Sequence, residues 1–184
     1  VILHVIGFTG PARCGKDTAA NLIHTHCPSY RQSAFANPLK EMLRVGLNLS
    51  MSQIHGDQKD QIDPRYKRTP RHMMQTLGTE WGREQVNPHI WVIAMEQQML
   101  KNPMLVSDVR FANEADLIRK HGQLVHITGR DGIIDSDHVS ETRVEYKPGD
   151  AILDNSGTLL AFKAEIERYL AAASFVGAQD HEYV

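Results

Sequence analysis

Apolar residues in this chain gather in short continuous runs, and between the runs they recur at every third or fourth position. Residues 1–8 (VILHVIGF) are apolar apart from His4. A run of that kind suits a parallel strand buried on both faces. Residues 30–35, 103–108 (PMLVSD), 123–128 and 151–153 predict four more strands. Helical spacing fills the intervals at 18–26, 39–47, 71–86, 89–100, 111–121 and 158–173. Leu39, Met42 and Leu43 form one apolar stripe, and Met73, Met74, Leu77 and Trp81 form another. Punctuation agrees. Pro28 stops the first helix, Asn37-Pro38 and Asn87-Pro88 read as N-cap and first-turn pairs, and Gly122 reads as a helix stop. Strands alternating with helices predict an α/β fold in three layers, a five-stranded parallel sheet with helices on both faces. Ligands of such sheets bind beyond the carboxyl ends of the strands. Gly10, Asp108 and Arg130 are therefore expected to converge on one crevice.

Some stretches break the rhythm. Residues 50–70 are polar and read as an excursion with a short helix near 51–55. Residues 129–150 are too long for a simple connector, and loops of that length are usually lids or disordered. Residues 174–184 have no periodicity and are expected to fray. Gly78 and Gly82 interrupt a helix, where each costs about 0.5–1 kcal/mol, so another group is expected to approach there closely. His24, His26 and Cys27 crowd a helix end but match no common zinc spacing.

Composition narrows the picture. The chain has 184 residues, ordinary apolar content (41%) and a net charge of −2. That length suits one domain with a real core, taken as residues 1–173 with a tail at 174–184. The charge argues against bulk nucleic-acid binding, although Arg65, Lys67, Arg68 and Arg71 form a local basic cluster. Cys14 and Cys27 make no C-x-x-C pair, which suits a reducing cytoplasm. No apolar run approaches the ~20 residues that span a membrane. The front of the chain lacks a basic leader segment and is read as a strand.

The chemistry starts at residues 7–21, GFTGPARCGKDTAAN. Gly10, Gly15 and Lys16 fit G-x-x-x-x-G-K, a loop whose backbone N–H groups cradle phosphates between a strand and a helix. A lysine at a helix start is repelled by the helix dipole unless an anion is bound there. Asp17 stands where the motif expects Ser or Thr to meet Mg²⁺, and Thr18 follows one place later. Further on, DVRFANE holds Asp108, Arg110, Asn113 and Glu114 just past a strand end. A carboxylate at that place often holds Mg²⁺, and Arg110 can fork onto a phosphate. Glu114 reads as a first-turn helix residue. A hydroxyl acceptor would need a base, whereas a phosphate acceptor is already anionic and needs cations to screen it. Arg44, Arg68, Arg71, Arg83, Arg110, Arg130 and Arg143 tilt the reading toward a phosphate acceptor.

At this point the chain resembles the bacteriophage deoxynucleoside monophosphate kinases. The resemblance is carried by GPARCGKDT at 10–18, FANPLKEML at 35–43, MQTLGTEWGRE at 74–84, SDVRFANEAD at 107–116, ITGR at 127–130, DHVSE at 137–141 and LDNSGTL at 153–159. It implies a P-loop kinase fold with a monophosphate-binding region at about 36–88 and a lid at about 129–150. It implies transfer of the γ-phosphoryl of ATP, with Mg²⁺, to a small-molecule deoxynucleoside 5′-monophosphate. In that mapping Gly10, Ala12, Arg13, Cys14, Gly15, Lys16, Asp17 and Thr18 hold the donor. Asp17 or Thr18, with Asp108, organises Mg²⁺, and the G-K-D-T form resembles the family's own variant. Phe35, Lys40, Arg44, Arg68, Arg71, Gln75, Trp81 and Arg83 are candidates for the acceptor pocket. Arg110 and Arg130 would meet transition-state charge, and Arg143 would sit in the lid. His138, Ser140 and Glu141 match the pattern without a physical role.

Two other readings stay open on the residues alone. One is a kinase with a hydroxyl acceptor, similar to a dephospho-coenzyme A or nucleoside kinase, with Asp108 as base. The other is a non-enzymatic ATP-binding switch. Base preference and a homodimer are likewise left open.

Overall fold

The apolar run at the front of the chain makes two strands, β1 (Ile2–Leu3) and β2 (Val5–Thr9). The single strand expected over 1–8 breaks at His4. Its ring Nε2 donates to the Met99 carbonyl at 2.8 Å, and its own carbonyl accepts from the Met104 N–H. The computed structural model describes residues 2–129 and 144–175. Those residues divide into two compact units, 1–34 with 96–184 and 35–95.

The first unit holds the sheet. After β2 the chain runs through α1 (Lys16–His26) and β3 (Arg31–Ser33). It returns to the sheet as β4 (Met104–Val106), after the residues of the second unit. There follow α6 (Ala112–His121), numbered after the helices of the second unit, β5 (Gly122–Thr128), β6 (Ala151–Asp154) and α7 (Leu159–Ala172). The strand order is β3-β4-β2-β5-β6, and every pairing is parallel. This is the five-stranded parallel sheet that the alternation of elements predicts. β2 lies at its centre, where all five residues are buried. Ile6 and Phe8 pack with Ala19, Ala20 and Ile23 of α1 and Phe162 and Ile166 of α7. Gly7 points the other way, because a Cβ there would meet Ile118 of α6 at 2.7 Å. Alternation along one strand thus puts helices on both faces.

A separate parallel pair joins β1 to β7 (Ser174–Phe175). Residues 174 and 175 therefore belong to a strand, where fraying was expected. The rest of the tail, and residues 130–143 of the expected lid, lie outside the described residues.

The second unit is helical. It contains α2 (Asn37–Gly46), α3 (Met51–Ile54), a 3₁₀ turn (Asp57–Asp60) and α4 (Pro70–Thr76). A π-helix, Leu77–Val86, continues α4, and α5 (Ile90–Met99) begins after it. The single helix expected over 71–86 is thus two kinds of helix. Gly78 and Gly82 serve close packing within the unit: a Cβ would lie 3.2 Å from Leu39 Cδ2 at Gly78 and 2.7 Å from Trp91 Cζ2 at Gly82. The Gly78 carbonyl accepts from Trp91 Nε1 and from Arg83 Nη1, each at 2.8 Å. Asn37 is the first helical residue of α2, not its cap. Thr69 caps α4, its hydroxyl accepting from the His72 N–H at 3.1 Å. No helix among the described residues is long and apolar enough to cross a membrane.

Candidate active site

Residues 10–15 turn from the end of β2 into α1, and their backbone is bent hard. Gly10 has φ 141°, Gly15 φ 109° and Arg13 φ 62°. The glycines reach these values cheaply, whereas a left-handed arginine costs of order 1–3 kcal/mol. Strain of that kind persists only where surrounding contacts enforce it. They do here. A Cβ on Gly10 would lie 2.6 Å from the Ile127 carbonyl, and one on Gly15 would lie 2.6 Å from Asn155 Nδ2.

Lys16 folds back over the loop. Its Nζ donates to the Gly10 carbonyl at 2.8 Å and the Pro11 carbonyl at 2.7 Å. Those carbonyls offset the repulsion between a lysine and the positive end of a helix. Gly15 caps α1 without a side-chain hydrogen bond, whereas Thr158 caps α7 by accepting from the Ala161 N–H. The first turn of α1 is thus left without a side-chain acceptor from its cap, the arrangement that favours an anion. Ala12 and Arg13 are exposed, and Cys14 is wholly buried. Asp17 is exposed and Thr18 half-buried.

β4 lies beside β2 with Val106 opposite Gly7. Gly10 and Asp108 consequently both follow the carboxyl ends of neighbouring parallel strands. The Val109 N–H donates to the Phe8 carbonyl at 3.2 Å and anchors the segment after β4 to β2. Asp108 is half-buried and Arg110 exposed. The buried Glu114 carboxylate accepts from the N–H groups of Arg110 at 2.9 Å and Phe111 at 3.1 Å. Glu114 is thus a first-turn residue that also shapes the loop carrying Arg110. The third convergent residue, Arg130, and Arg143 lie outside the described residues, as do His138, Ser140 and Glu141.

The candidates for an acceptor pocket all fall in the second unit. Phe35 is buried, Lys40 and Gln75 are half-buried, and Trp81 stands at the edge of exposure. Arg44 pairs with Glu41, and Arg71 pairs with Asp60, both in the open. Arg68 is exposed and donates to the Lys67 carbonyl. Arg83 is held against the Gly78 carbonyl of the π-helix. Trp81 and Arg83 therefore ride on a π-helix, a geometry that gathers at functional sites.

Asn155 was not singled out in the sequence. Its side chain is buried and donates to the Cys14 carbonyl at 2.8 Å. The N-S-G triplet reads as a turn, and a turn asparagine does not announce a partner 141 residues away. The signal available was its place in the LDNSGTL stretch.

Comparison with known proteins supplies a family. The family model described as deoxynucleotide monophosphate kinase matches residues 58–166. A protein of Acanthamoeba polyphaga mimivirus, provisionally given that same name, is 33% identical over 181 residues, covering 88% of this chain and 93% of its own. The deoxynucleoside-5′-monophosphate kinase of Escherichia phage T5 is 37% identical over 90 residues, covering 43% of this chain and 36% of its own. Among solved structures, TT1252 from Thermus thermophilus superposes with a TM-score of 0.50 at 16% identity, covering 94% of this chain and 98% of that one. That last likeness concerns the fold alone. The two viral relatives differ in kind, so the family is not confined to bacteriophages.

Proposed function

The chain belongs to the deoxynucleotide monophosphate kinase family, and from that membership we propose the roles that its residues play in phosphoryl transfer to a deoxynucleoside monophosphate. The protein is an enzyme, a phosphotransferase acting on such monophosphates. Family membership favours this over a hydroxyl-acceptor kinase and over a non-enzymatic switch.

We take ATP as the donor and assign its phosphates to residues 10–18. The observation that carries the assignment is Lys16 held on the loop's own carbonyls where α1 begins without a side-chain cap. An ammonium resting on carbonyls is ready to exchange them for the stronger acceptors of a triphosphate. Asp17, Thr18 and Asp108 offer only oxygen donors, the set that Mg²⁺ prefers. They are the residues that would hold it, and Mg²⁺ when bound supplies charge neutralisation on the donor phosphates. Arg110 and Arg130 are assigned to the charge that develops on the transferring group. For the acceptor we assign the segment at about 36–88, with Phe35, Lys40, Arg44, Arg68, Arg71, Gln75, Trp81 and Arg83. The support is the basic content of that segment and the π-helix that bears Trp81 and Arg83. Residues 129–150, with Arg143, are proposed as the lid. A free nucleotide as acceptor agrees with the net charge of −2, which does not favour bulk nucleic-acid binding. Both substrates are cytoplasmic metabolites, and the reaction is assigned to that compartment.

The test is direct. Purified protein with Mg-ATP is offered dTMP, dGMP, dCMP, dAMP and modified pyrimidine monophosphates one at a time, and ADP release is followed. Release that depends on the monophosphate is expected. Silence across the panel overturns the reading.

A further inference from the structure

Asn155 sits at the turn between β6 and α7, and everything around it fixes the side chain. Its N–H donates to the Thr128 carbonyl at 2.9 Å, at the end of β5. The neighbouring turn is locked by Asp154, whose carboxylate accepts from the Ser156 N–H and hydroxyl. From that anchored position the Asn155 amide donates to the Cys14 carbonyl at 2.8 Å. The approach is possible only because residue 15 is glycine, since a Cβ there would lie 2.6 Å from Nδ2.

The hydrogen bond has a consequence on the far side of the peptide it grips. The Cys14 carbonyl and the Gly15 N–H belong to one peptide unit. The chain has no cis peptide among the described residues, and in a trans unit the two groups point in opposite directions. A Cys14 carbonyl aimed at the buried Asn155 therefore turns the Gly15 N–H away from it. Local sterics do not fix this choice. Gly15 adopts φ of either sign at little cost, so a flip of the peptide, which changes ψ of Cys14 and φ of Gly15, is open to an isolated loop. A flipped peptide would present a carbonyl oxygen where the loop needs a donor.

We propose that Asn155 is a positioning residue for the donor site: its amide holds the Cys14–Gly15 peptide in the one orientation that offers the Gly15 N–H to a donor phosphate. The proposal rests on the assignment of residues 10–18 to the donor. It goes beyond that assignment by placing control of the loop on a residue that meets no substrate.

The experiment compares the parent protein with Asn155→Ala and Asn155→Asp. ATP affinity is measured without acceptor, and then kcat and the KM for the monophosphate. A buried carbonyl robbed of its donor costs enough to change an equilibrium by about tenfold or more. Asn155→Ala is expected to weaken ATP by at least about that factor and to lower kcat, with the monophosphate KM within about twofold. Asn155→Asp is the sharper variant. Its carboxylate cannot donate, but its protonated acid can. Its ATP affinity should recover as pH falls, over a range in which the parent changes little.

A merely structural turn would behave otherwise. Lower thermal stability with unchanged ATP affinity per folded molecule would overturn the proposal, and so would an aspartate variant with no recovery at low pH. Should neither variant fold, the parent alone decides through its amide spectrum. Addition of ADP is expected to move the Gly15 amide proton downfield, and an unmoved Gly15 amide overturns the proposal. A parent that binds no ATP at all would instead sink the kinase assignment, so the two failures are distinct.

Discussion

The Arg119 guanidinium grips the Asp150 carboxylate through two hydrogen bonds, Nε at 2.9 Å and Nη2 at 2.7 Å. The pair ties α6 to the residue that precedes β6. Asp150 also accepts from His126 Nε2 at 2.9 Å and from the Lys147 N–H at 2.9 Å. Burial alone would raise the pKa of this carboxyl. The Arg119, Lys147 and His126 hydrogen bonds outweigh burial and hold it well below the usual carboxylate range. A carboxyl depressed in the folded state stabilises it above the unfolded value of about 3.9. That contribution is lost as pH falls below that value toward the folded pKa. Asp150→Asn is expected to cost about 1–3 kcal/mol at pH 7, because the donors gathered on Asp150 lose their carboxylate and Arg119 is left with its more exposed pair with Asp116 at 3.1 Å. The variant should also lose less stability than the parent between about pH 4 and pH 2. Denaturant melts at a series of pH values check both, and equal stability at pH 7 would count against the clamp.

Lys16→Ala separates chemistry from folding. Lys16 is half-buried and its partners are loop carbonyls, so the melting temperature should stay near that of the parent. Phosphoryl transfer should fall by about 10²–10³-fold, the usual cost of removing one preorganised donor from a developing charge. Steady-state ADP release reads the outcome. Full activity in this variant would refute the assignment of the loop.

Asp108→Asn tests metal against base. A residue that helps to hold Mg²⁺ should shift the Mg²⁺ concentration needed for half-maximal rate upward, with the shape of the pH–rate profile preserved. A general base should instead flatten the rising limb of that profile. Asp17→Asn and Thr18→Ala, run in the same Mg²⁺ titration, decide which of the two neighbours shares the task. The exposed carboxylate and the half-buried hydroxyl start from different surroundings.

Gly82→Ala probes the π-helix. The new methyl would lie 2.7 Å from Trp91 Cζ2 and 2.9 Å from the Leu77 carbonyl. Overpacking of that kind costs about 1–3 kcal/mol. In a chain of this length that is a melting shift of several degrees, roughly 2–4 °C per kcal/mol. Thermal melts followed by tryptophan emission report it, since Trp91 is the residue displaced. A variant as stable as the parent would mean that the two helices are not packed as described.

The sheet and the phosphate loop were legible because both are local patterns. Buried parallel strands are written as apolar runs, and the loop is written as glycines at fixed spacing before a lysine. The break at His4 was not legible, since one polar residue in an apolar run is ordinary and its partner, Met99, is remote. The π-helix escaped for a different reason. The apolar stripe of so short a segment does not tell α from π; the backbone bonds do, as where the Asn87 N–H reaches back five residues to the Gly82 carbonyl at 2.9 Å. Glu114 was read as a first-turn residue, as it is; its hold on the loop before α6 and the grip of Asn155 on Cys14 escaped, because each acts on backbone groups, and a backbone acceptor or donor leaves no mark in the identity of its residue.

The strand order carries a consequence for how the protein is made. β2 is made long before its two neighbours, which begin at residues 104 and 122, and the clamp on its loop comes from residue 155. Each of these pairings closes a long stretch of chain, which makes it slow to form. During synthesis the strand that leads into residues 10–18 therefore waits as an unpaired apolar segment, in need of protection from other nascent chains. The hydrogen bond that holds the Cys14 carbonyl forms only once the sheet has been filled in on both sides of β2.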